Sequence, residues 1–417
     1  MNIKFVKFIE PYKKLPRNVY ILFFANVINS AGNFIYPFLA MFLTIKLGYS
    51  EYFAGVVLTV VIIAESVGKL IGGKLSDLFG RKIVIIILSF IGSFFYLAIA
   101  FLNNQILVTF LIIFGGFIKS GAFPAINALI IDSTTRKSRN DAFSLIYLAQ
   151  NLGFAVGPLT AGFLFLNYIQ LIFLIDAITT IIAVIPIIIF VKESLHVKTG
   201  IYLTKGNVPI NEKPQSGSTI RVFFKRPVLY GFALISIIFS FVYVQSTFSL
   251  PIYLEEIFKE SGPKLYGILM TVNAVIVIIM TIFIISAIKK NNPILNISVA
   301  GILFAAGFGM LFYSKIFILF IISTIIWTIG EIISSVSSNV LVANYSPITH
   351  RGRFNAIIYF INGIGFSLGP FFAGLFIKYI GLKNVWTLIF FLSIFASILM
   401  LLLFYLEKYY NYNLNSK

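Results

Sequence analysis

Residues 153–162 read GFAVGPLTAG and residues 365–374 read GFSLGPFFAG. Gly, Phe, Gly, Pro, Ala and Gly recur at the same places in both strings, 212 positions apart. The same offset brings Gly55 onto Gly267, Thr59 onto Thr271, Asn127 onto Asn339, Arg139 onto Arg351 and Tyr147 onto Tyr359. Chance matches are easy in apolar sequence, but a shared GF..GP..AG string is not. The chain therefore reads as an imperfect duplicate, with halves at residues 1–191 and 227–417. The polar stretch 192–226, which contains Gly and Pro, reads as the linker.

Around these strings the sequence is apolar. A mean hydropathy of +0.98, with 59% hydrophobic and 11% charged residues, excludes a soluble domain of 417 residues. Apolar stretches of about 20 residues match the ~30 Å hydrocarbon core of a bilayer. Twelve are found, at 19–43, 52–71, 83–102, 106–131, 142–166, 169–191, 228–254, 265–287, 294–313, 316–343, 354–379 and 384–406. They are continuously apolar rather than alternating, which argues for helices and against a barrel. The expected fold is an all-α, multi-pass membrane protein of the cell membrane. Six crossings per half return the chain to its starting side, so the two halves run parallel.

A formal net charge of +18 could suggest nucleic acid, but its distribution says otherwise. With the N-terminus in the cytoplasm, only Lys46, Lys259, Lys264, Lys315, Lys378 and Lys383 fall outside, and Lys69 and Lys119 lie within spans. The other 24 of the 32 Lys and Arg residues collect on the cytoplasmic face. That is the positive-inside bias, and it puts both termini and the linker in the cytoplasm. No nucleic-acid partner is needed to explain the charge. The chain has no cysteine, and its two histidines, His196 and His350, fall in cytoplasmic loops without companion ligands. No metal or cofactor is expected, and no phosphate-binding GxxxxGK[ST] run occurs. The N-terminal basic stretch leads straight into a full-length span with no evident cleavage site, so the first span is expected to be retained.

Two charges stand in mid-span. Lys119 lies in GGFIKSGAFPAIN (115–127) and Glu331 in TIGEIISSVSSN (328–339), and the 212-residue offset superposes them. A charge at the bilayer centre costs about 2.5–3.5 kcal/mol even on a lenient scale, so such residues tend to serve movement across the membrane. Opposite charges at matching places in two half-proteins suggest a substrate or ion site between the halves. Glu65 and Lys69, four residues apart on span 2, read as a self-neutralising structural pair. Asp176, about two turns inside span 6, reads as packing or capping.

Residues 72–82, GGKLSDLFGRK, lie between spans 2 and 3. They resemble the G-x-L-x-D-x-x-G-R-K signature of the major facilitator superfamily at Gly73, Leu75, Asp77, Gly80, Arg81 and Lys82. The resemblance covers the whole chain: twelve spans, two halves and a basic central linker. It implies an alternating-access transporter that is not an enzyme. It further implies that Asp77 latches against the N-terminal end of span 11 in the outward-facing state, and that Arg81 pairs with Asp132. The bland alternative is a turn with a solvated basic patch. The corresponding stretch 286–293 keeps little beyond Lys289 and Lys290, so a second latch is degenerate.

GFAVGPLTAG is similar to the G-x-x-x-G-P-x-x-G-G motif of the superfamily's antiporters, with Ala161 in place of the first Gly of the final pair. Gly153, Gly157, Pro158 and Gly162, with their counterparts Gly365, Gly369, Pro370 and Gly374, suit tight helix contact. Pro158 can kink its helix. Such a joint would seal one end of a pathway, although plain helix packing accounts for it equally.

Glu331 resembles the span 10 carboxylate of proton-coupled members, which include multidrug exporters and oligopeptide symporters. Lys119 resembles the span 4 lysine of the oligopeptide group. That group's Glu-x-x-Glu-Arg cluster is replaced here by residues 26–30, NVINS, and Ile112 stands near the place of an exporter-like arginine. Glu331, with Lys119, is the expected proton-coupling pair, because the proton affinity of a carboxylate follows its hydration and its distance from a cation. A permanent structural bridge and a lipid-edge position are the alternatives. Asn26, Asn29 and Asn33 form one polar stripe on span 1. The family architecture places spans 1, 4, 7 and 10 around the cavity, which adds Phe123, Asn127, Tyr243, Gln245, Ser335 and Ser338 as lining candidates.

Three functions stay open at this level. One is proton-coupled export of small, largely apolar organic compounds, including drugs. Another is proton symport of a metabolite, peptide or organic anion. The third is a non-transporting sensor or pore. The expected partners are a small-molecule substrate, protons and the lipid bilayer, with the proton gradient as energy source and a monomer as the working unit.

Overall fold

The computed structural model describes residues 12–135, 138–193, 219–346 and 351–415, with no strand among them. The elements are α1 (Arg17–Lys46), α2 (Glu51–Phe79), α3 (Arg81–Ile99), α4 (Gln105–Ser133), α5 (Arg139–Leu164) and α6 (Ile169–Phe190). A short helix, Thr219–Phe224, precedes α7 (Pro227–Val244, resumed over Ser249–Phe258), α8 (Gly262–Ile288), α9 (Pro293–Gly309), α10 (Phe317–Tyr345), α11 (Arg351–Ile380) and α12 (Val385–Asn415). Most of the linker, both histidines and Arg136 and Lys137 lie outside the described residues.

Helix is what such sequences must form, because lipid offers no partner to a free backbone amide. Eleven runs among the described residues are long and apolar enough to cross a membrane, where twelve spans were expected. The difference lies in Pro227–Ile288, 62 residues that contain both 228–254 and 265–287. At 1.5 Å per residue this run exceeds one crossing about threefold. It is interrupted at Lys259–Ser261, where Lys259 takes φ 51° and a Cβ on Gly262 would lie 2.6 Å from the Glu255 Cα.

Three helices are broken four residues behind a proline. Pro37, Pro124 and Pro251 have no N–H to give the carbonyls of Asn33, Ser120 and Thr247, and their rings crowd those positions. α1 accordingly breaks at Asn33–Phe34, α4 at Gly121 and α7 at Gln245–Phe248. Asn33 and Gln245 are repeat equivalents, so the duplicated halves share this interruption. Pro158 and Pro370, by contrast, sit inside helices that run through.

Packing repeats with the sequence. In the first half α1 packs on α5 and α6, and α3 on α4 and α6; in the second, α7 packs on α11 and α12, and α9 on α10 and α12. The small residues of the opening strings explain the α1–α5 and α7–α11 pairs. A Cβ on Gly153 would fall 2.5 Å from Ser30 Cβ, and one on Gly365 only 2.2 Å from the Ile237 carbonyl oxygen. In the second half, Phe308 stacks on Trp327 and on Trp386, with centroids 5.4 and 6.2 Å away.

Two compact units emerge, and each takes in a piece of the other sequence half. Residues 254–278 belong with the first unit and 50–56 with the second. Within the first unit, α8 lies so close to α5 that a Cβ on Gly267 would sit 2.4 Å from the Pro158 oxygen. Within the second, a Cβ on Gly55 would sit 2.3 Å from the Pro370 oxygen. The two contacts are the same contact, exchanged by the 212-residue repeat. Gly162 against Pro263 and Gly374 against Glu51 repeat the exchange one turn away.

Candidate functional site

The polar interior of the first unit gathers around Lys119. Its ammonium hydrogen-bonds Asp176 Oδ1 of α6 and lies over the Tyr96 ring of α3, 5.0 Å from the centroid. Asp176 is 1% exposed, deep for a carboxylate unless it is paired. Glu65 and Lys69 on α2 are 3.7 Å apart, as their spacing suggests, and Glu65 also feels the Lys119 charge. The Ser120 hydroxyl, next to Lys119, donates to the Glu65 carbonyl at 2.9 Å. Asn29 of α1 joins from the other side by accepting a 2.9 Å bond from Thr180, one turn beyond Asp176. The ion pair shown for Lys119 is thus with Asp176, a residue the sequence suggested for packing or capping.

The second unit holds its carboxylate differently. The Tyr243 hydroxyl on α7 donates to Glu331 Oε1 at 2.8 Å. Phe304, Trp327 and Phe366 surround the Tyr243 ring at centroid distances of 6.4, 6.1 and 6.1 Å. Both side chains are half-buried. A carboxylate beside a phenol can hold a proton or meet a cationic group; Phe366 is half-buried like Tyr243, whereas Phe304 and Trp327 are buried behind the phenol.

The other lining candidates divide. Asn26 turns to its own helix, donating to the Leu22 carbonyl at 2.8 Å. Asn33 stands at the α1 break. Gln245 is fully buried at the α7 break, donating to the Phe241 carbonyl at 3.1 Å and accepting from Ser249 at 2.6 Å. Its amide is taken up by these bonds and by a 3.4 Å bond to the Gly369 carbonyl of α11. Phe123 and Ser335 are exposed, whereas Asn127 and Ser338 are half-buried.

At the α2–α3 turn the signature residues form a charged knot. Gly80 takes φ 108°, a conformation that needs glycine, and starts α3. Arg81 reaches Asp132 at 3.2 Å, as the resemblance implied, Asp77 at 3.0 Å and the Ser76 carbonyl at 2.7 Å. Asp77 is 71% exposed and engaged by Arg81. Glu193, just past α6, accepts from the amides of Arg81, Lys82 and Ile83 and so caps α3, while Lys82 holds the Ile188 carbonyl. Gly73 approaches Pro124 of α4. The second unit solves the same problem with other residues. Asn292 caps α9, and Glu407 of α12 accepts from Asn292 at 2.8 Å and from the Tyr345 hydroxyl.

The model of the Major Facilitator Superfamily matches residues 22–345 and 296–416. The chain belongs to the major facilitator superfamily. It is a multi-pass transporter of the cell membrane, and its work is transport rather than catalysis. A Na(+), Li(+), K(+)/H(+) antiporter of Planococcus maritimus is 23% identical over 366 residues, 82% of this chain and 85% of the relative. Multidrug resistance protein 2 of Bacillus subtilis is 29% identical over 136 residues, 33% and 34% of the two chains. Among solved structures, a POT family transporter in complex with 5-aminolevulinic acid superposes with a TM-score of 0.77 at 14% identity, covering 93% of this chain and 96% of that one. That superposition is a likeness of fold.

Proposed function

We propose that this superfamily member is a proton-coupled antiporter that exports small, largely apolar organic compounds by alternating access. The carrying observation is Glu331: a carboxylate in an apolar helix, hydrogen-bonded by Tyr243, whose ring is itself packed among aromatic rings. Its proton affinity depends on hydration and on the Tyr243 bond, so a change of access changes proton occupancy. The half-buried rings of Tyr243 and Phe366 suit an apolar or cationic organic substrate competing with that proton. Relatives named as an antiporter and as a multidrug resistance protein support this direction and substrate class. The reading takes a monomer as the working unit and the proton gradient as its only energy source.

The test is a substrate screen in proteoliposomes under an imposed pH gradient, comparing the native chain with Glu331→Gln. The variant is expected to lose uphill transport while keeping exchange. Undiminished uphill flux in the variant would remove Glu331 from the coupling role.

A further inference from the structure

The polar cluster of the first unit holds a carboxylate that the Glu331 mechanism does not use. Asp176 has Oδ1 bonded by Lys119, but Oδ2 is buried with no hydrogen-bond partner among the described residues. A bare carboxylate oxygen among apolar helices is unfavourable unless a cation or a proton comes to it. Each helix packed nearby contributes identifiable groups. α4 brings Lys119, α3 brings Tyr96, and α2 brings Glu65 and Lys69. α1 brings the Asn29 amide, through a Thr180 hydroxyl that also donates to the Asp176 carbonyl at 2.8 Å. The charged residues of α5, Arg139 and Asp141, stand at its first turn, far along that helix from the α6 start near Asp176. Besides Asp176, Lys119 has Glu65 beside its own helix: a Cβ on Gly116, one turn before Lys119, would lie 3.5 Å from Glu65 Oε1, and Ser120 bonds the Glu65 carbonyl.

We propose that Asp176 and Lys119 form a second proton-exchange site, in which a proton taken up on Asp176 Oδ2 frees the Lys119 ammonium to move to Glu65. One O–H bond forms on Asp176 as one breaks in the hydronium ion that delivers the proton, which is left as water. Lys119 keeps its three protons, and the charge of Glu65, Lys69, Lys119 and Asp176 together rises from zero to plus one. The site would add one proton to each transport cycle. That consequence for transport rests on the proton-coupled reading above, whereas proton binding itself is measured separately.

The experiment uses the full chain in liposomes and two readouts. The first is the infrared difference spectrum between acid and alkaline pH, which reports a protonated carboxyl. The native protein and Glu331→Gln should share a titrating band that is missing in Asp176→Asn. The second is the proton-to-substrate ratio, found from the pH gradient that just balances a substrate gradient. The double variant Lys119→Met/Asp176→Asn removes both charges, so it keeps the test alive if the single variant fails to fold. It should recover thermal stability and transport one proton fewer per substrate. An unchanged ratio in the double variant, or no band lost on replacing Asp176, overturns the proposal and leaves an ion pair that only holds helices together. If substrate movement in the native chain ignores the pH gradient, the proposed function fails, and the infrared band still decides whether Asp176 takes a proton.

Discussion

Replacing Gly267 by alanine tests the exchanged Gly–Pro contacts at one atom. The new Cβ would sit 2.4 Å from the Pro158 carbonyl oxygen. Ordinary carbon–oxygen contacts lie at about 3.3–3.6 Å, so α8 must retreat from α5 by roughly 1 Å. Overpacking of this kind costs about 1–3 kcal/mol. At 1.4 kcal/mol per tenfold, the closed α5–α8 contact should be disfavoured by about 5- to 150-fold. Since the protein has no cysteine, an introduced pair reports alone. Phe163 and Lys264 suit this purpose, because the Lys264 ammonium lies 4.8 Å from the Phe163 ring centroid. Cross-linking between Phe163→Cys and Lys264→Cys should fall several-fold in the Gly267→Ala background. The repeat demands the same of Gly55→Ala, read between Tyr52→Cys and Lys378→Cys, a pair joined at 5.2 Å. Gly363→Ala is the control, since a Cβ there meets nothing within 4 Å. Equal cross-linking in all backgrounds would refute the claim that these glycines set the contacts.

Further outcomes follow from the same geometry. Arg81→Gln removes the guanidinium shared by Asp77, Asp132 and the Ser76 carbonyl. Solvent screens the Asp77 contact, so a loss of about 1–2 kcal/mol is expected, read as a lower Tm, and Arg81→Lys should rescue only part of it. Gly80→Ala forces a side chain onto φ 108° and should cost roughly 1–2 kcal/mol in the same assay. Gln245→Ala should lower Tm by an amount equivalent to about 1–3 kcal/mol, by leaving buried groups unpaired, while substrate preference stays unchanged. A selective change of substrate preference without loss of Tm would return Gln245 to the lining set.

Much of this architecture can be read from the chain because lipid permits so few alternatives. Length and hydropathy locate the helices, and the GF..GP..AG strings locate the tight α1–α5 and α7–α11 contacts. The Arg81–Asp132 pair was legible only through the resemblance of residues 72–82 to the superfamily signature, since Asp132 lies 51 residues further along the chain. Asp176 was not: it lies 57 residues from Lys119, and nothing in the local pattern of α6 names its partner. Glu193 is hidden for the same reason, capping a helix that begins 112 residues earlier. The fusion of two expected spans in 227–288 arises because the connection at Lys259–Ser261 is itself helical, so no loop marks the boundary. Gln245 entered the lining set through the family architecture, which says nothing of local bonding; Pro251 breaks the helix, and the amide bonds at that break and to Gly369 of α11. The break was readable four residues ahead of the proline.

Proton movement driven by substrate alone is the most direct measurement. Proteoliposomes with no imposed gradient and a trapped pH indicator are exposed to a transported substrate. The account requires protons to cross in the direction opposite to substrate, and Glu331→Gln to cut that signal to no more than the one proton per substrate assigned to Asp176. Substrate crossing with an unchanged internal pH, or with protons travelling alongside it, would contradict the account.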